Sequence, residues 1–217
     1  EPMPDIEMGS GQKVVDALKL KGKASVLGAD QIDVSKKWAT YWEGGKVPAS
    51  TKTPKTDMKV SKTKISLKTG SAAQLMSGGK NESVATFYSA LEKSTHKAGP
   101  LLSKIEGAIN DLSGSSIAAG KLAGEIKKGE DEMVMKANAA HKILQQDIRG
   151  LFESDSEFAY NFCYEAMAGD VKFGGNDGTC SHFLTCDFSG DNAHLIPVTN
   201  KSYVNKIAKR VKPTVRF

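Results

Sequence analysis

The stretch Thr53 to Glu82, TPKTDMKVSKTKISLKTGSAAQLMSGGKNE, holds the residue types whose spacing could do chemistry. Asp57-Met58-Lys59-Val60 is short and alternating, and Lys64-Ile65-Ser66-Leu67-Lys68 alternates again, with Ser61-Lys62-Thr63 as a polar turn between them. Alternation predicts a hairpin in which Lys64, Ser66 and Lys68 share one face while Ile65 and Leu67 point to the other. An acid on the first strand then sits across from a serine and a lysine on the second. A carboxylate is a hard oxygen ligand for a divalent cation. An ammonium beside it can orient a water or neutralise charge developing on a phosphoryl group.

The layout Pro54-x-x-Asp57, a short turn, then Ile65-Ser66-Leu67-Lys68 resembles the PD-(D/E)xK nuclease superfamily, also described as restriction-endonuclease-like. In that superfamily an aspartate and an acid-x-lysine pair on a bent hairpin hold divalent metal. Here Ser66 stands where the acid of that pair is expected. A subset of type II restriction enzymes shows the same serine, its glutamate having migrated to a following helix. Glu82, fourteen positions after Lys68, suits that variant. The resemblance covers some thirty of the 217 residues.

The resemblance implies a site in which Asp57 and Glu82 are ligands of Mg2+ or Mn2+ and the carbonyl of Leu67 is a further one. Lys68 would then be the charge-stabilising or water-positioning group. Ser66 would make a weaker contact beside the metal, and Gln74 would meet the water or the DNA backbone. The competing reading is a lysine-rich hairpin whose six lysines between Lys52 and Lys68 keep an exposed edge soluble.

These residues need a scaffold, and the length predicts one domain spanning residues 1–217 with a sizeable core. The expected class is α+β or α/β. A central mixed sheet of restriction-endonuclease-like type would carry this hairpin and a C-terminal one, with a helical insertion at about 83–168. An apolar fraction of 39% with 25% charged residues is that of a globular chain, and 7% aromatics argue against a large aromatic-lined pocket. No apolar run approaches the length of a membrane span, so no membrane partner is expected. The start Glu-Pro-Met-Pro-Asp lacks the basic and apolar regions of a secretory signal, and the absence of Met at position 1 suggests processing or trimming.

Net charge is +5 with a pI near 9.0, which favours a polyanion such as DNA as partner. The stretch Lys201 to Arg216 holds six bases and no acid. Three cysteines, Cys163, Cys180 and Cys186, are an odd count that fits a reducing, cytoplasmic compartment. Basic ends and the missing initiating Met fit equally well a non-enzymatic structural component of a virion or DNA-packaging assembly. A homo-oligomer or larger assembly belongs to that reading.

Along the chain, Ser10 is a fitting cap for a helix over Gln12 to Lys21, ended by Gly22. Glu7 or Asp16 is a candidate helix acid for the site, with a solvent-facing role the simpler identity. Trp38 and Trp42, four apart, share a helical face and read as a core plug, the alternative being a base-stacking platform. Glu43 to Pro54 reads as a loop. Helices are expected from Asn81 through Leu91, over Leu101 to Leu112, Ile117 to Lys128 and Asp131 to Leu151, and over Glu157 to Met167 closed by Gly169. Val171 to Phe173 reads as strand-like. Ser181 to Phe188 and His194 to Val198 form a hairpin, Ser202 to Arg210 a short helix, and Thr214 to Phe217 a last strand. Glu165 and Lys172 read as a structural helix end, although they could reach the hairpin site. Cys180, His182, Cys186 and His194 fit no compact zinc knuckle, and thiols on one apolar strand face explain them as well. No ordered His and Asp partners suggest a cysteine nucleophile.

Overall fold

A computed structural model of the chain describes residues 18–22, 24–27, 32–69, 80–94, 145–186 and 193–213. Expected elements outside them, including Gln74, the helices over 101–112 and 117–128 and the final strand, lie outside the described residues. The described chain is α+β. Five strands form one mixed sheet in the order β1 (Ala24–Val26), β2 (Met58–Val60), β3 (Thr63–Thr69), β4 (His182–Cys186) and β5 (His194–Pro197). All neighbouring pairs are antiparallel except β3 with β4, which run parallel.

That parallel pair decides the role of the helical stretch. Parallel neighbours need a crossover, so the helices between β3 and β4 are the connection that covers the sheet. Among the described residues they are α2 (Lys80–Lys93), α3 (helical residues 145–154), α4 (Ser156–Ala168) and α5 (Asp170–Phe173). Before them comes α1 (Lys36–Ala39), and after β5 comes α6 (Lys201–Ala208).

Local chemistry sets most of these boundaries. The β2–β3 hairpin turns at Ser61 and Lys62, with Ser61 at φ 54. Its register sets Met58 opposite Ile65 and Lys59 opposite Lys64. The Asp155 carboxylate accepts from the backbone N–H groups of Glu157 and Phe158 and starts α4; Gly169, at φ 64, ends it. Asn200 caps α6 by accepting from Tyr203 N–H.

Val171 to Phe173 corrects the strand-like expectation. With Gly169 left-handed, the chain re-enters a helical turn whose N–H groups at Val171 and Lys172 are taken by the Glu165 carboxylate, and Gly174 closes it at φ 60. A further correction concerns Gln12 to Lys21: Leu18 and Lys19 form a turn with Lys19 at φ 51, and Leu20 and Lys21 are not helical, so no helix runs through Lys21. The loop from Glu43 to Pro54 contains two short 3-10 turns.

Alternation splits the core between the two sheet faces. Val60, Ile65 and Leu184 pack on one face with Leu18, Leu20 and Cys186. Phe183, on the other, packs under Cys163 and Met167 of α4 and Val204 of α6. Phe87 and Leu91 of α2 meet Phe158 of α4 and Phe152 of α3. Trp38 and Trp42 are buried against Ala85 of α2, with ring centroids 5.7 Å apart, which agrees with the core-plug reading.

Candidate active site

The segment Thr53 to Asp57 is pinned to the structure at nearly every residue. Thr53 C=O accepts from Lys172 Nζ at 3.0 Å, and Lys55 N–H donates to Gly178 C=O at 2.9 Å. Thr56 Oγ1 donates to Thr179 C=O at 3.0 Å. Asp57 N–H donates to Ile65 C=O at 2.8 Å, and Asp57 C=O accepts from Leu27 N–H at 3.0 Å. Lys55 and Asp57, two positions apart, both lie within electrostatic reach of Lys68.

Asp57 extends the hairpin ladder with its side chain. Its Oδ2 accepts from Leu67 N–H at 2.6 Å and from Ser66 Oγ at 3.3 Å. A charged acceptor on a backbone donor is among the stronger hydrogen bonds, so the carboxylate is held in place while the residue stays exposed. Oδ1 takes no hydrogen bond among the described residues. Ser66, 4% exposed, therefore supports Asp57 from beneath. Half-buried Lys68 has its pKa lowered, first by burial; the Asp57 charge opposes that shift and the Lys55 charge adds to it. Asp57 and Ser66 thus meet through a hydrogen bond, on the face of β3 that alternation also gives to Lys68.

Glu82 sits in the first turn of α2 and is 2% exposed. Its Oε1 receives Lys55 Nζ at 2.5 Å and Lys172 Nζ at 3.0 Å. Burial pushes the Glu82 pKa up, but the two ammonium groups outweigh it and hold the carboxyl below the ordinary value. Lys172, 1% exposed, is pushed down to about 8 by burial and by the Lys55 charge, against the pull of Glu82. Glu165, equally buried, accepts from Val171 and Lys172 N–H at 2.9 Å each, and Lys93 Nζ lies 3.7 Å from its Oε2. Burial raises its pKa, with those N–H bonds opposing.

Two charge groups result, joined through Lys55: Asp57 with Lys68, and Glu82 with Lys55 and Lys172. No direct contact between Asp57 and Glu82 exists among the described residues. No group of three or more His, Cys, Asp and Glu able to hold a metal ion occurs among them either.

Sequence reasoning missed Lys55 as a site residue and favoured a purely structural Lys172. The available signals were the two-residue spacing of Lys55 from Asp57 and the position of Lys172 between Val171 and Phe173, where a lysine is out of keeping with its neighbours. The cysteines also differ from expectation. Cys180 belongs to the helix-side core and Cys186 to the opposite one, so they share no face. Burial pushes the Cys163 thiol up to about 12 and the Cys180 thiol to about 11. No protein-family model matches this chain, and comparison with curated proteins and with solved structures gives no match.

Proposed function

We propose that the chain is a metal-dependent nuclease-like protein that binds DNA and hydrolyses phosphodiesters at the Asp57–Lys68 corner of its hairpin. The observation that carries this reading is the Asp57 carboxylate, fixed by Leu67 N–H and Ser66 Oγ with one oxygen uncommitted, in the electrostatic reach of Lys68. The mixed sheet, with that hairpin continued by a parallel strand, supports its assignment to the restriction-endonuclease-like type.

Asp57 Oδ1 fits a hard cation such as Mg2+ or Mn2+. Glu82 fits as a second donor through Oε2, since both lysines use Oε1, and the Leu67 carbonyl would complete the protein's share. When bound, such an ion polarises a phosphoryl oxygen. Ser66 and Leu67 N–H fix the Asp57 carboxylate. Lys68 supplies a positive charge to the phosphate, and Lys55 reinforces it while tying Glu82 to the same side. Gln74 is assigned the attacking water or the DNA backbone. The odd count of three cysteines suits the proposed reducing, cytoplasmic setting.

A second reading is favoured by one observation. Glu82 is neutralised in the interior by two lysines, the condition of a purely structural ion cluster. The chain would then be a non-enzymatic component of a viral particle or DNA-packaging assembly. Incubation with plasmid DNA and Mg2+ or Mn2+, beside Lys68→Ala, separates the two. Cleavage that disappears in the variant supports the hydrolytic site. DNA binding without cleavage, with assembly into large particles, supports the structural role. A protein that neither cuts nor binds DNA rules out both.

A further inference from the structure

Several lysines among the described residues have partners: Lys52 with Asp33, Lys59 with Asp177, Lys93 with Asp170, and Lys64 with the carbonyls of Gly175 and Asn176. On α6 and the turn that follows it, Lys201, Lys206, Lys209, Arg210 and Lys212 are all exposed, and among the described residues no salt bridge reaches any of them.

At 3.6 residues per turn, the six positions Lys201, Ser202, Asn205, Lys206, Lys209 and Arg210 fall on one arc. All six are exposed, four are cations and none is an acid. The complementary arc of Tyr203, Val204, Ile207, Ala208 and Val211 packs into the core against α4 and Phe183. The segment beyond the helix is held too: Pro213 C=O accepts from Gln145 Nε2 at 3.0 Å and from Arg149 Nε at 3.4 Å, which brings a further exposed cation from α3 to its end.

We infer that the solvent arc of α6, extended by Lys212 and Arg149, is a docking surface for the phosphate backbone of a nucleic acid, separate from the Asp57–Lys68 corner. Charge complementarity selects the occupant. From Lys201 to Arg210 the arc runs about 14 Å at 1.5 Å per residue. A duplex presents about one phosphate charge per 1.7 Å of axis, so roughly eight lie within that length. Ser202 and Asn205, among the cations, supply neutral hydrogen-bond donors of the kind that position a backbone. An anionic lipid surface fits less well, because a membrane-lying helix inserts an apolar face and that of α6 is already used by the core. Docking here is independent of whether the hairpin hydrolyses anything.

The test is fluorescence anisotropy of the full chain with a labelled duplex DNA in EDTA, across a salt series. The arc variant carries Lys201→Gln, Lys206→Gln, Lys209→Gln and Arg210→Gln. A control variant removes the same charge elsewhere, through Lys19→Gln, Lys21→Gln, Lys36→Gln and Lys46→Gln, all exposed positions. Thermal melts check that both fold. The arc variant is expected to bind at least ~10-fold more weakly, with the slope of log K against log salt shallower by about 0.9 per lost phosphate contact. The control is expected to stay within a factor of ~3 of the wild type. Equal weakening of both variants overturns the inference, as does wild-type binding to phosphatidylserine vesicles with none to DNA.

Discussion

The Lys172 ammonium stands 3.0 Å from Glu82 Oε1, across ninety positions of sequence, with both side chains almost wholly removed from water. Lys55 meets the same oxygen from the strand side at 2.5 Å. One carboxylate thus serves two ammonium groups, and the three partners are not equivalent. Glu82→Gln leaves two buried cations without a counter-charge and is expected to cost about 3–5 kcal/mol. Lys172→Met leaves Glu82 paired with Lys55 and is expected to cost less than about 2 kcal/mol. Urea denaturation of both variants checks the ordering, and equal losses would contradict it.

The triad also makes stability depend on alkaline pH. Lys172 is held at about 8 in the folded chain against an ordinary value of 10.5. Between those values the unfolded chain binds the proton that the folded chain has released, so stability rises with pH in that window. From about pH 8 to about pH 10 the wild type should gain up to ~3 kcal/mol relative to Lys172→Met, measured by urea midpoints at each pH. A difference that stays flat or falls over the window refutes the depressed pKa.

Gly169 is a backbone control over the same triad. It sits at φ +64, and a Cβ there would lie 2.7 Å from Lys55 Cγ and 3.1 Å from Phe173 Cδ2. Gly169→Ala is expected to destabilise the fold by about 1–3 kcal/mol, combining backbone strain with displacement of Lys55. Gly150→Ala, in α3 with nothing near its Cβ, should instead stabilise by about 0.5–1 kcal/mol. Thermal melts of the pair give opposite signs if the close approach matters.

Asp57→Asn separates a structural from a chemical role. The amide oxygen can still accept from Leu67 N–H and Ser66 Oγ, so stability should change by no more than about 1 kcal/mol. Loss of the charge removes the hard ligand, so plasmid cleavage with Mg2+ should fall at least ~100-fold. Retained cleavage in a folded Asp57→Asn variant would remove this carboxylate from the site.

The elements legible in the sequence are those whose signals are local. Alternation set the faces of β3, leaving Ile65 buried on one side and Ser66 with Lys68 on the other. Cap residues fixed α4 between Asp155 and Gly169, and the short helix expected over Ser202 to Arg210 lies at α6. The pairing of Asp57 with Ser66 was readable because hairpin register follows from a short turn.

What the tertiary structure alone decided is long-range. The text of Val171 to Phe173 has strand composition, yet the buried Glu165 carboxylate and two left-handed glycines make it a helical turn. That turn delivers Lys172 to Glu82. A lysine or glutamate in a one-dimensional string reads as a solvated surface group, since burial of a charge is favourable only beside its partner. The chain between Glu82 and Lys172 must close before either partner exists, and no local pattern encodes that closure.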